Sequence, residues 1–299
     1  MRISIHALFL LSAPFCPSLL TGQNYIRYHQ EALEVYADML DGNPTSALQK
    51  LHDLERRYAL LPPETYAAAF NACALGDTAT AARYFLKAAE QGSALWMWLD
   101  REKLIPVLDT TWFDALERRC VTVQAEHMPW ADGPNPGRPV PTTRIGLRYQ
   151  FVIDSLSREY GGYGHELNGH PEAQAVLRDV IHQHDLVLDS IVAGQLPVPS
   201  IQRYGMNSDF ETFLFHVTPE HLHARRRTLR KWLKKGLIFP RTYATCHDQL
   251  ARSRGALHPY GVLLGFEENE LLPGYAKRRH AIGMGDDQLD MFRFHWWIE

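Results

Sequence analysis

Cysteine is scarce in this chain. Four occur in 299 residues, at Cys16, Cys73, Cys120 and Cys246, and no two form a C-x-x-C pair. That spacing supports neither a zinc ribbon nor a thioredoxin-type redox centre, and so sparse a set makes no disulfide framework. Charge of one sign is lacking as well. The 31 Lys and Arg against 34 Asp and Glu leave a net charge of −3, so no global field recruits nucleic acid. Motifs with a known mechanism are missing: there is no G-x-S-x-G elbow, no G-x-x-x-x-G-K-[ST] phosphate loop and no H-E-x-x-H helix. "GGYGHE" is no dinucleotide fingerprint, because no hydrophobic strand precedes it. The expectation is no cofactor and no metal.

The first residues, "MRISIHALFLLSAPFCPSLLTGQ", carry Arg2, then an apolar stretch over 3–15, then small and polar residues. The apolar stretch is too short to span a bilayer core of roughly 30 Å. The pattern is that of a cleaved secretory signal over residues 1–23, with the mature chain beginning near Asn24. The competing reading is an N-terminal helix or strand of a chain that is not exported. On the first reading the protein is periplasmic or secreted, and the mature chain makes no stable membrane insertion.

What the chain does have is a repeat. "ADMLDGNPTSALQKLHDLERR" lines up with "ACALGDTATAARYFLKAAEQG": Gly42 and Gly76, Ala47 and Ala81, and Leu51 and Phe85 are each 34 residues apart. Ala81, Phe85 and Ala88 form a small-large-small stripe whose spacings of four and three fall on one helical face. The period and the stripe resemble the tetratricopeptide family of helix pairs. Ala115 keeps the period into a third unit, where Leu104, Val107, Leu108, Trp112 and Leu116 are expected in the core. Residues 24–120 thus read as two and a half repeats, fewer than the three or so that bury a solenoid core alone. A neighbouring domain must cover the stack. Its open face is the expected seat of a protein or peptide partner.

Residues 121–146 are rich in Pro and Gly and read as a linker without regular structure. From 147 to 299 the pattern is helical. Gly161-Gly162 stops one helix, Pro171 opens another that Gly194 ends, and "TPEHLHARRRTLRKWLKKG" reads as a single helix from the Thr218 N-cap to Gly236. On that helix His221 and His223 lie about 200° apart, so they cannot hold one ion with His216. Its basic run puts cations on the polar face, with Leu229, Trp232 and Leu233 inward. A solvated face is the expectation for that run, ahead of anionic lipid or nucleic acid.

Several segments from about 145 to the end resemble an uncharacterised bacterial family, the domain of unknown function numbered six-six-two-four. They are "LVLDSIVAGQLP", "IQRYGMNSDFETFLFHV", "TCHDQLARSRGALHPYG" and "GYAKRRHAIGM", with Gln249 where the family pattern has arginine. The resemblance implies no activity. His216, Asp248, Tyr260 and Arg279 fall in or beside these segments as polar residues next to apolar runs. Buried together they must satisfy one another's hydrogen bonds. They are the candidate catalytic residues of an alternative, hydrolase-like reading, with His216 as base and Arg279 as anion clamp. The leading expectation is an all-α, non-catalytic, exported binding module: a short tetratricopeptide-like stack packed against a C-terminal helical domain.

Overall fold

Asn24 accepts the backbone N–H of Ile26 at 3.2 Å and so starts the first helix, α1 (Tyr25–Leu40). The computed structural model describes residues 24–92, 109–127, 141–162, 167, 169–200, 210–262 and 270–295. The expected signal segment and Leu104, Val107 and Leu108 lie outside the described residues. Among the described residues there are thirteen helices and no strand, only an isolated bridge between His258 and Leu271. The fold is all-α.

α1 pairs with α2 (Pro44–Arg57), and α3 (Pro62–Ala74) pairs with α4 (Thr78–Glu90). The two pairs turn alike. Gly42 and Gly76 take φ of +69° and +72°, a region costly for other residues, and the next side chain in each case caps the second helix. Asn43 accepts from Ser46 N at 3.2 Å, and Asp77 from Thr80 N at 3.0 Å. Ala47 and Ala81, and Leu51 and Phe85, are buried in one core. Ala67, Ala68, Ala69 and Ala72 in α3 are fully buried, and their small side chains let neighbouring helices approach closely. Tyr66 meets Phe85 edge to face at 5.5 Å, a contact type that adds about 0.5–1.5 kcal/mol beyond area burial.

α5 (Thr110–His127) packs on α4 and closes this core with Phe113, Leu116 and Cys120. Here the 34-residue register is lost: Ala115 is exposed, unlike Ala47 and Ala81. Arg119 stands in the large-apolar position and is also exposed, so α5 turns a different face to α4. The linker expectation needs correction at both ends. α5 runs through His127, and α6 (Pro141–Tyr160) begins six residues before 147, with Pro141 in the first turn where a missing N–H costs nothing. Residues 128–140 lie outside the described residues.

The remaining helices are α7 (Pro171–Val192), α8 (Phe210–Phe215), α9 (Pro219–Ala224), α10 (Arg226–Lys234), α11 (Pro240–Ser253), α12 (Tyr275–Ile282) and α13 (Asp287–His295). α7 through α12 build a second core around Leu188, Phe213, Leu222, Leu233 and Ala244. The helix expected from Thr218 to Gly236 is broken at Arg225, whose backbone (φ −97°, ψ 6°) leaves the helical region while its guanidinium holds Asp189. Thr218 is not a side-chain cap either. Its hydroxyl and its N–H both donate to Asp185 of α7, each at 2.9 Å.

α1 belongs to both halves. Tyr25, Tyr28, Ala32, Val35 and Tyr36 face the repeat core, while Ile26 enters the second core. α10, α12 and α13 also pack on α1. The tightest approach is at Gly283, which ends α12 with φ +90°. A Cβ there would lie 2.4 Å from His29 Cβ and 3.1 Å from the Ile26 carbonyl oxygen. Gly76 has a similar φ and open space around it. Gly76→Ala is therefore expected to cost about 1–2 kcal/mol, the penalty of the left-handed region alone. Gly283→Ala should cost at least about twice that. Urea denaturation of the two variants makes the comparison, and equal losses would mean that α12 is free to move off α1.

Candidate functional site

The most elaborate polar site lies between the two halves. Arg293 of α13 and Glu64 of α3 are both fully buried, 229 residues apart in sequence. Arg293 Nε and Nη2 donate to Glu64 Oε1 at 3.0 and 2.8 Å, and Nη2 also donates to His29 Nδ1 at 2.9 Å. A guanidinium has no acceptor, so His29 Nδ1 must be the bare ring nitrogen. Burial and the Arg293 charge hold the His29 pKa well below its usual value, which keeps the ring neutral. Glu64 receives two more donors, Tyr28 Oη at 2.7 Å on Oε2 and Tyr36 Oη at 3.2 Å on Oε1. Burial, then the neighbouring Glu64, drive both tyrosine pKa values well up, so both remain donors. Leu61 N donates in turn to Tyr28 Oη at 2.9 Å. Burial alone would lower the Arg293 pKa, but Glu64 reverses this and the net shift is upward.

These groups come from α1, α3 and α13. α1 and α3 are the first helices of their pairs. Leu289 and Phe292 of α13 pack on the same core, with the Phe292 ring 6.3 Å from that of Tyr36. The chain's own α13 thus covers the side of α1 and α3 that carries Tyr28, Tyr36 and Glu64. The physical reason is the one that required a neighbour: a short stack leaves an apolar flank, and Glu64 adds a charge that must be paired. A separate cleft of about 290 Å³ opens between α1 and α2. Its ionic lining is paired within itself, Arg57 with Glu31 and Lys50 with Glu34.

The four candidate catalytic residues divide. Asp248 is fully buried and accepts the backbone N–H groups of Tyr260 at 2.9 Å and Val262 at 2.8 Å. Burial raises its pKa, against the pull of those amides. Arg279 donates to the carbonyls of Gly285 and Tyr260 at 2.9 and 3.1 Å, and its Nη2 lies 2.7 Å from Asp290 Oδ2. Tyr260, its hydroxyl pushed up to about 12 by burial, contributes its main chain to both neighbours. This trio ties the 258–262 loop to α11, α12 and α13, a holding role for Asp248 and Arg279. His216 stands just past the end of α8. Its ring stacks on Tyr149 at 3.9 Å and lies 5.7 Å from His184. The ring contacts of His216 are with Tyr149, His184 and Phe215, while Gln249, next to Asp248, donates to the Phe215 carbonyl at 2.6 Å.

His184 is fully buried, and its Nδ1–H donates to the Val180 carbonyl at 2.9 Å. His221 and His223 diverge as their spacing requires: His221 Nε2 reaches Asp189 at 3.0 Å, and His223 Nε2 faces Arg226 at 3.3 Å. Among the described residues no group of three or more His, Cys, Asp or Glu could hold a metal ion. Among them, too, no helix is long and apolar enough to cross a membrane.

Sequence reasoning missed the whole Glu64–Arg293 site. The one available signal was an arginine set in the aromatic run "MFRFHWW". Compared with known proteins, the chain matches no family model, no curated protein and no solved structure. The likeness to the six-six-two-four pattern therefore rests on the quoted segments alone.

Burial lowers the pKa of His216, with His184 assisting, and of His247, with His223, Arg230 and Arg226 assisting; each falls to about 4. The unfolded chain then takes up protons first as pH falls below about 6.5. The stability held by these two neutral rings is present above that pH and is lost as pH drops from about 6.5 toward 4. The urea midpoint should fall across that window, and less steeply in a His216→Asn, His247→Asn chain. An unchanged slope would contradict the burial of the two rings.

Proposed function

We propose that this is an exported, non-catalytic interaction protein. Its helical repeat grips a helix through an arginine socket, and α13 is the resident helix. The observation that carries the reading is the fully buried Arg293, met by Glu64 and His29, with Tyr28 and Tyr36 completing the carboxylate's partners. A planar fork with directed donors is well suited to selecting one side chain at one register. The apolar contacts of Leu289 and Phe292 supply the flanking area. A partner helix carrying an arginine among apolar residues has the chemistry to exchange with α13. Export rests on the pattern of residues 1–23, and the six-six-two-four likeness of the C-terminal half adds no activity to it. The hydrolase reading has less support, because Asp248 and Arg279 are committed to main-chain groups and Asp290, and His216 keeps other company.

A fluorescein-labelled peptide of residues 286–299 tests the socket. By anisotropy it should bind the full-length Arg293→Ala chain more tightly than wild type, whose own α13 competes. The same peptide carrying Arg293→Ala should lose most of that binding. Phe292→Ala loosens the resident helix while keeping the charge pair, and it serves as second host should Arg293→Ala fail to fold. If the peptide binds neither host while circular dichroism shows a folded chain, α13 is a permanent strut and the reading falls.

A further inference from the structure

Several cations of the repeat half are neutralised locally: Arg57 meets Glu31, Lys50 meets Asp38, and Lys87 meets Glu55. α10 is different. Arg226, Arg227, Arg230, Lys231 and Lys234 are all exposed, and Lys235, just past its end, is exposed too. Leu229, Trp232 and Leu233 are buried on the opposite side. At ~100° per residue the six cations sweep about half the circumference of the helix. Two carboxylates of α7 that face this segment are already engaged. Asp189 holds Arg225 and His221, and Asp185 holds the Thr218 hydroxyl and N–H. Among the described residues no carboxylate pairs with Arg227, Arg230, Lys231 or Lys234. Four adjacent unneutralised cations repel one another unless an external anion covers them.

We propose that the exposed face of α10 docks on an anionic lipid surface. The breadth of the charged arc fits a plane: Arg227, Arg230, Lys231 and Lys234 lie near its middle and can reach headgroups together. Clusters of four to eight Lys and Arg on an amphipathic helix have this character. Single-stranded nucleic acid is the poorer match, because bases need exposed aromatic platforms and the α10 aromatic, Trp232, is buried. Duplex nucleic acid also fits less well. α10 is packed by α1, α9 and α11, so it lies in the surface instead of standing out as a helix that enters a major groove. The apolar face of α10 stays in the protein core, so the contact is electrostatic adsorption without insertion, and it weakens with salt. This inference is independent of the arginine socket.

The test uses the full chain and sucrose-loaded vesicles, of phosphatidylcholine alone or with 30 mol % phosphatidylglycerol. Co-sedimentation is expected with the anionic vesicles only, and 0.5 M salt should abolish it. The Arg227→Gln, Arg230→Gln, Lys231→Gln, Lys234→Gln chain alters exposed side chains only and should remain folded. Each charge near such a surface is worth about fivefold in partitioning, so the four together should lower it by roughly two orders of magnitude or more. Absence of binding to anionic vesicles overturns the proposal. So does equal binding of wild type and the quadruple variant, or tighter binding to a 20-base-pair duplex than to the vesicles at the same salt.

Discussion

The ion pair between Arg293 and Glu64 is the constraint around which the molecule is arranged. Two opposite charges have been moved out of water, and each is tolerable only because the other is within 3 Å with further partners in place. Removing one partner of such a pair typically costs about 3–5 kcal/mol, a large share of the stability of an ordinary domain. The pair therefore forces three things at once. α3 must present Glu64 inward, α1 must supply two tyrosine hydroxyls and a neutral imidazole, and the end of the chain must return to the repeat. A helix near the C-terminus becomes part of the first domain's core.

α1 makes that return possible because it has two buried sides. One side, from Tyr25 to Tyr36, completes the repeat core, and Ile26 on the other joins the second core. Gly283 lets α12 approach α1 within a distance no side chain would allow. The two halves are thus joined along a whole helix face. The shortness of the repeat, which would leave an exposed apolar flank in isolation, is offset by this junction.

The second half uses polar side chains differently. Asp248, Arg278 and Arg279 spend their hydrogen bonds on loop main chain: Asp248 on the amides of Tyr260 and Val262, Arg278 on the carbonyls of Pro259, Leu272 and Pro273, and Arg279 on those of Tyr260 and Gly285. Buried loop backbone needs such partners where no helix or strand provides them. Asp185 and Asp189 tie α7 to the α9–α10 segment, Asp185 through the Thr218 N–H and hydroxyl and Asp189 through the side chains of Arg225 and His221. Residues that stand out in a sequence as polar islands beside apolar runs can be the fasteners of irregular chain, and two of the four catalytic candidates, Asp248 and Arg279, are of this kind.

Local physics was legible in the residues themselves. The 34-residue spacing of Gly42 and Gly76 placed the turns, and the small-large-small stripe placed the buried face of α4. Glycine ended α6, α7 and α10, and proline opened α7, each through backbone preferences that act within a few residues. The divergence of His221 and His223 followed from helix geometry alone. Three things did not follow: the loss of register at Ala115, the break at Arg225, and the partner of Glu64. Each depends on a partner distant in sequence, α4 for the first, Asp189 for the second, and Arg293 for the third. Periodicity records which side of a helix is apolar. Which of two apolar sides meets which neighbour, and which buried charge finds its counter-charge across 229 residues, is decided only when the chain has closed on itself.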